Sequence, residues 1–430
     1  MWIYSNFRFA WGDYEHNLAP INLDSCKGLS FQRAALLVGA RQSGKTTLVR
    51  EQGPLPARYV TMDDEIMLLA AREDPHFFLN QNSEGCLVID EIQKAPSLIS
   101  EVKRRLDESN RPGQFILTGP ADYRKLPSAE NADSLTGRII VTRLRTLSRA
   151  EMLGASPLFL QNAFEEKFPK ASSLTPCSRR SVYTWAIEGG YPQTLGYDSE
   201  ERGLYFKSYI QSSILHDLTK TWDLRRYKDL ESLLQIFAAY SSKPLNIQEI
   251  CRKLNGNAQT ISSYLNALQS MFLIDALPAW ESRDYRIGSK TPKIFISDSA
   301  LMANLLGIYS AENLLSSQEK MANEGGKLVE TWAYAQLMSE ADLHPLWAVH
   351  HFRNKNNQEI DFLIRNENNH YLGIEIKVAE SINSDDFHHL RWFSKQVPDF
   401  VGVVLYAGND LLSVGNNLYA VPFSALWGWS

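Results

Sequence analysis

The chain has 430 residues, 44% of them hydrophobic and 22% charged, with 44 Lys and Arg against 49 Asp and Glu and a formal charge of −5. At roughly 150 residues per domain, this length predicts about three domains and excludes one small core. The composition excludes disorder, and the mild acidity excludes a polybasic chain, so any nucleic-acid contact must come from a local patch.

Short apolar runs at 34–38, 58–62, 86–89 and 115–118 alternate with helical stretches up to about residue 145. Each run is continuous and bounded by polar residues or Gly, as strands buried on both faces are. A parallel α/β sheet is the fold this predicts. Residues 151–225 read as mostly helical. Between 226 and 318 come three helical patterns and a β-like tail. From 319 to 430 the pattern is helix, alternating strand pair, third strand, helix and final apolar strand, an αβββαβ unit.

Gly39-Ala40-Arg41-Gln42-Ser43-Gly44-Lys45-Thr46, with Thr47 after it, fits the P-loop pattern between a strand and a helical stretch. Its backbone N–H groups would close around the phosphates of ATP. Lys45 would neutralise the β/γ oxygens, and the Thr46 hydroxyl would ligate Mg²⁺. Cys86-Leu87-Val88-Ile89-Asp90-Glu91 supplies the second half: Asp90 for the metal and Glu91 as the base that polarises water. Thr118, at the tip of a later strand, is a candidate γ-phosphate sensor. Arg138 is a candidate arginine finger in cis or in trans, with Arg143 and Arg145 as rivals. ATP binding without hydrolysis is the alternative reading.

Residues 245–254 read as a short helix, and Asn255-Gly256-Asn257 as a turn. The next helix has an apolar stripe at Ile261, Leu265, Leu268 and Phe272 and a polar set Gln259, Thr260, Ser262, Ser263, Tyr264 and Asn266. This is helix–turn–helix grammar, with Ile274, Leu277 and Trp280 as the wing. The second helix lacks Arg and Lys, and phosphate contacts need cations. The neighbours Arg225, Arg226, Lys228, Arg252 and Lys253 are few. DNA binding and protein–protein contact both remain open for this module.

Near the C-terminus, period-two alternation puts Glu359 with Asp361, and Glu375 with Lys377, on shared strand faces. A helix beginning near Gly326 brings Glu330 to the same cluster. Oxygen ligands of this kind select Mg²⁺ or Mn²⁺, and bound metal can activate water for phosphodiester hydrolysis, with Lys377 assisting. A solvated charged hairpin is the alternative. The adjacent pairs His350-His351 and His388-His389 read as surface or partly buried residues. The Trp and Tyr residues read as core and interface material.

Together with Ile92-Gln93, Ala95-Pro96, Leu135-Thr136-Gly137-Arg138, Leu147-Ser148-Arg149-Ala150-Glu151, Gly189-Gly190-Tyr191-Pro192 and Lys293-Ile294-Phe295-Ile296-Ser297-Asp298, these motifs span nearly the whole chain. In that order they resemble the bacterial and archaeal AAA-type (STAND-like) P-loop ATPases that carry a C-terminal DUF4143 domain. The resemblance implies an ATPase domain over 1–150, a helical lid or linker over 151–225, a winged helix over 226–318 and a PD-(D/E)xK nuclease-like domain over 319–430. It would assign metal binding to Asp361 and Glu375, support to Glu330 and a catalytic role to Lys377. The chain departs from the family at Ser299-Ala300 and at Pro120, where a Ser is usual.

Two functions follow. In one, nucleotide state gates a metal-dependent DNA nuclease. In the other, ATP drives a conformational switch and the C-terminal domain is an inert platform for a protein partner or a second copy. The scattered Cys26, Cys86, Cys177 and Cys251 form no C-x-x-C and suit a reducing cytoplasm. No signal peptide or membrane-spanning run is predicted.

Overall fold

The computed structural model describes residues 32–51, 57–81, 85–119, 135, 137–222, 227–254, 256–282, 287–288 and 291–428. Cys26, Pro120, Thr136, Arg225, Arg226 and Asn255 lie outside the described residues.

The first unit is β1 (Ala34–Val38), α1 (Lys45–Glu51), β2 (Ala57–Thr61), α2 (Glu65–Glu73), α3 (Pro75–Asn80), β3 (Cys86–Asp90), α4 (Pro96–Glu108), β4 (Phe115–Gly119) and β5 (Ile139–Arg143). Its five strands form one parallel sheet in the order β2-β3-β4-β1-β5. The fifth strand was not among the expected runs. Every residue of β1 is buried, as a central strand covered on both faces requires. Ala34, Leu36 and Val38 pack with Leu98, Val102 and Leu106 of α4, while Ala35 and Leu37 pack with Leu48 and Val49 of α1.

The middle of the chain carries α5 (Arg149–Met152), α6 (Phe159–Phe164), α7 (Arg179–Glu188), α8 (Ser199–Tyr209), α9 (Leu215–Trp222) and α10 (Tyr227–Ala239). Next come β6 (Lys243–Pro244), α11 (Ile247–Leu254), α12 (Ala258–Ser270), β7 (Ile274–Leu277), β8 (Glu281–Ser282), β9 (Ile287–Gly288) and β10 (Lys293–Ile296). The expected helix–turn–helix is α11 and α12, backed by the antiparallel sheet β6-β10-β7. Asn257 caps α12, its Oδ1 accepting from Thr260 N at 2.8 Å. Tyr264, expected on the polar face, is buried instead.

After α13 (Ser299–Leu305), α14 (Ala311–Ser316) and α15 (Gln318–Lys320), the last unit runs α16 (Gly326–Ala341), β11 (Ala348–Arg353), β12 (Glu359–Arg365), β13 (Tyr371–Lys377), α17 (His388–Ser394), β14 (Phe400–Tyr406), β15 (Leu412–Ser413) and β16 (Leu418–Pro422). Its mixed sheet has the order β11-β12-β13-β14-β16-β15, with β13 parallel to β14. The expected αβββαβ order is present, extended by a final strand pair. Among the described residues, no helix is long and apolar enough to cross a membrane.

The units are fastened through Asp275 of β7. Its carboxylate accepts from Arg143 Nη1 at 2.6 Å, Arg145 Nη1 at 2.8 Å and the Tyr334 hydroxyl at 3.0 Å. Asp275 is buried, and although burial alone would raise its pKa, the two guanidiniums hold it far below the usual carboxylate range. Replacing it removes the carboxylate that binds Arg143 and one of the two that bind Arg145, the other being Asp342. Asp275→Ala is therefore expected to lower stability by about 3–5 kcal/mol, read as a reduced midpoint in urea unfolding.

Candidate functional site

The phosphate loop leaves β1 at Gly39 and runs to Gly44. A Cβ on Gly39 would lie 2.2 Å from the carbonyl oxygen of Leu144, and Gly44 has φ +99°. Both positions need glycine for that reason. Ser43 is buried, and its Oγ has no hydrogen-bond partner. Lys45 folds back onto the loop, donating to Gly39 O at 2.9 Å and Ala40 O at 2.7 Å. Burial pushes its pKa down to about 8, against the pull of Glu91 and Asp90. An orphaned buried hydroxyl and an ammonium held only by neutral carbonyls fit a phosphate chain.

Asp90 ends β3 beside the loop. Its Oδ2 accepts from the Thr46 hydroxyl at 2.9 Å and from Tyr59 at 2.7 Å, and its Oδ1 accepts from Thr118. β4 lies between β1 and β3, which is why Thr118 at its tip reaches Asp90. Thr46 and Asp90 thus bring hard oxygen donors together, as Mg²⁺ prefers. Glu91 follows in a left-handed conformation at φ 57°, and Gln93 Nε2 donates to its Oε2 at 2.5 Å. Burial raises the Glu91 pKa. Tyr59 and Gln93 were not foreseen, because neither belongs to the spacing that defines the loop.

Arg138 is a correction. In the sheet, Ala34 faces Ile139 and Val38 faces Arg143, so Arg138 lies at the end of the sheet opposite the phosphate loop. It binds Asp107 of α4 at 2.6 Å. It is not placed as a finger for its own site. Arg143 is at the correct end but is held by Asp275, and Arg145 by Asp275 and Asp342. The loop itself carries Arg41, whose Nη2 donates to Asp217 of α9 at 3.1 Å. The Tyr209 hydroxyl donates to Arg41 O at 3.1 Å, and Tyr205 of α8 donates to Gln42.

The Gly189-Gly190-Tyr191-Pro192 turn explains itself in space. Gly190 N donates to Asp298 at 2.9 Å, and its carbonyl accepts from Leu147 N at 2.8 Å. A Cβ on Gly190 would meet Leu147 O at 2.2 Å. Pro192 lies 3.9 Å from the Cβ position of Gly44, so the turn sits against the phosphate loop.

In the C-terminal unit, Glu330, Glu359, Asp361, Glu375, Lys377 and His389 line one cleft of about 360 Å³. The expected cluster is therefore assembled, with His389 as an unforeseen member. Lys293 of β10 enters the cluster beside Glu330 and Asp361, the residues expected to serve a metal. Its Nζ is 2.9 Å from Glu330, 2.9 Å from Glu359 and 3.2 Å from Asp361. Among the described residues, no three His, Cys, Asp or Glu are grouped as a metal site. Burial raises the pKa of both Glu330 and Glu375, with Asp361 adding to it. Lys377 leans toward Asp386 at 4.0 Å. His351, expected at the surface or partly buried, is fully buried, and burial pushes its pKa down to about 4.

Three family models match the chain: an AAA domain over residues 31–153, the domain of unknown function DUF8612 over 179–312, and the domain of unknown function DUF4143 over 325–426. The uncharacterized protein Rv2008c of Mycobacterium tuberculosis is 26% identical over 389 residues, covering 90% of this chain and 79% of its own. Mb2031c of Mycobacterium bovis, also uncharacterized, matches with the same figures. Among solved structures, the Walker-type ATPase PABY2304 of Pyrococcus abyssi is 15% identical with a TM-score of 0.39, over 66% of this chain and 95% of that one. Cdc6p from Pyrobaculum aerophilum is 16% identical with a TM-score of 0.20, over 64% and 87%. The part of the chain that holds the phosphate loop is thus similar to AAA domains, and the part that holds the acidic cleft to DUF4143 domains.

Proposed function

We propose that this protein hydrolyses Mg-ATP and uses its nucleotide state to move the middle domain against the ATPase domain, with the C-terminal domain as a binding platform. The observation that carries this reading is the closure of the phosphate loop by α8 and α9, through Asp217 to Arg41, Tyr205 to Gln42 and Tyr209 to Arg41 O. Phosphates entering the loop compete for the same residues. Lys45 must leave the Gly39 and Ala40 carbonyls to meet them. Mg²⁺ held by Thr46 and Asp90 would supply charge neutralisation on the β/γ oxygens. Glu91, with its raised pKa, takes the proton of the water that attacks the γ-phosphorus, and Gln93 fixes where that carboxylate points.

A second reading is that ATP gates DNA cleavage in the C-terminal cleft. It is favoured by the convergence of Glu330, Asp361, Glu375 and Lys377 on one PD-(D/E)xK-like surface. Lys293 among the carboxylates counts against it. The polar face of α12 has no cation of its own, and Lys253 on α11 stacks on Tyr240 at 4.7 Å, which favours a protein partner over DNA.

Lys45→Ala is expected to abolish ATP binding, and Glu91→Gln to keep binding while lowering turnover by about 10²–10⁴-fold in a phosphate-release assay. Unchanged turnover in both variants would remove the site assignment. Asp217→Asn frees Arg41 and is expected to tighten ATP binding up to about fivefold, the ~1 kcal/mol of a partly exposed ion pair. Lys45 also predicts a pH dependence. In the free protein it is charged below about pH 8 and neutral above. Phosphates restore the charge, so ATP binding takes up a proton above pH 8 and affinity falls as pH rises. Calorimetry in buffers of differing ionisation enthalpy should show uptake of more than about half a proton near pH 8.5 and little near pH 6.5.

A further inference from the structure

Lys293 begins β10, whose hydrogen-bonding partners are β6 and β7, yet its side chain ends among carboxylates of another domain. It is 1% exposed. Its ammonium has three donors and no acceptor, and it meets three carboxylates, from α16 (Glu330) and from β12 (Glu359 and Asp361). A single cation surrounded by carboxylate oxygens from different elements is the arrangement a hard divalent ion would otherwise complete. Although burial pulls the ammonium toward neutrality, Glu330, Asp361 and Glu359 hold its pKa well above the ordinary value.

The fourth carboxylate is incomplete. Glu375 is 6% exposed, lines the same cleft and has an Oε1 without a hydrogen-bond partner; His389 Nδ1 is 3.7 Å away. Asp361 spends its second oxygen on Ile376 N at 3.0 Å. The oxygens that would bind metal are therefore divided between a lysine already in place and an acceptor still open. Lys293 is not free to swing away. Phe295, two residues on, stacks on Tyr334 with ring centres 4.3 Å apart, and the Ser241 and Thr331 hydroxyls meet at 2.7 Å across the same seam.

We propose that Lys293 is a built-in cation that stands where a divalent metal would sit in the C-terminal cleft, so that the native chain binds neither Mg²⁺ nor Mn²⁺ there, and that removing it converts the cleft into a divalent-cation site. A doubly charged ion reaching Asp361 Oδ1 would lie close to the ammonium, which is 3.2 Å from that oxygen, and be repelled. Without the lysine, Glu330, Glu359 and Asp361 lose the cation they share, and a divalent ion can take its place among the carboxylates of the cleft. This inference does not rest on the nucleotide reading, since the test contains no nucleotide.

The test is Mn²⁺ binding to the full chain, followed by calorimetry and by thermal unfolding, in the native protein, Lys293→Met, Glu375→Gln and the Lys293→Met/Glu375→Gln pair. The native protein and Glu375→Gln should bind Mn²⁺ alike. Lys293→Met should gain one site, at least about tenfold tighter than any binding at the cleft of the native chain, with a Mn²⁺-dependent rise in melting temperature. The double variant should lose that gain. If Lys293→Met does not fold without metal, the gain is read as recovery of the folded state on adding Mn²⁺. Loss of a Mn²⁺ site on Glu375→Gln in the native background overturns the proposal. So does a Lys293→Met protein that shows neither a new site nor metal-dependent recovery.

Discussion

A buried carboxylate shared by two arginines and a tyrosine sets the relative position of the three domains. Asp275 belongs to the middle sheet, Arg143 and Arg145 to the end of β5 and the segment after it, and Tyr334 to α16 of the C-terminal domain. None of these groups is stable in that place alone. A buried guanidinium or carboxylate without a partner costs several kcal/mol, so each domain supplies what the others need. β5 pairs with β1, and β1 runs into the phosphate loop. Asp275 thereby links the sheet that carries the ATP site to the other two domains.

The middle domain that carries Asp275 also covers the phosphate loop. Tyr205 and Tyr209 of α8 and Asp217 of α9 reach Arg41 and Gln42, the loop positions whose identity the P-loop pattern leaves free. The invariant positions face inward and bind their own backbone or Asp90. The loop therefore has two sides with different roles. One is set by phosphate chemistry, and the other by the middle domain. The same short backbone segment serves both sides.

What was legible in the sequence was local. The strand, loop and helix around Lys45, the carboxylates at the end of β3 and the period-two faces of β12 and β13 depend on residues close in the chain. Each was found where its spacing indicated. What was not legible was pairing at long range. Arg41 meets Asp217 across 176 positions, and Arg143 meets Asp275 across 132. No local period encodes such pairs. That Arg138 lies away from the phosphate loop of its own chain is a matter of which strand end carries it, and it is seen only in the sheet. Tyr264 was misjudged because a tyrosine at a polar helical position can bury its ring. Lys293 reads as an ordinary polar start to an apolar strand, and only the folded chain shows carboxylates around it.

β10 also limits how the two ends of the molecule can communicate. Lys293 opens the strand, and Asp298 lies just past its end, about 17 Å away at strand rise. Asp298 holds Gly190, whose turn places Pro192 against the phosphate loop. The acidic cleft and the ATP site are therefore joined through one short strand. The strand is bonded to β6 and β7 on its two sides, and Phe295 is stacked against α16. Such a strand cannot slide or tilt by itself without breaking its ladder and unpacking its core. A displacement that begins at the Gly189–Gly190 turn must carry the whole three-stranded sheet, and with it Lys293 and the carboxylates bound to it. Rigid-body movement of the middle and C-terminal domains together meets that requirement, while local withdrawal of the lysine from its cleft does not.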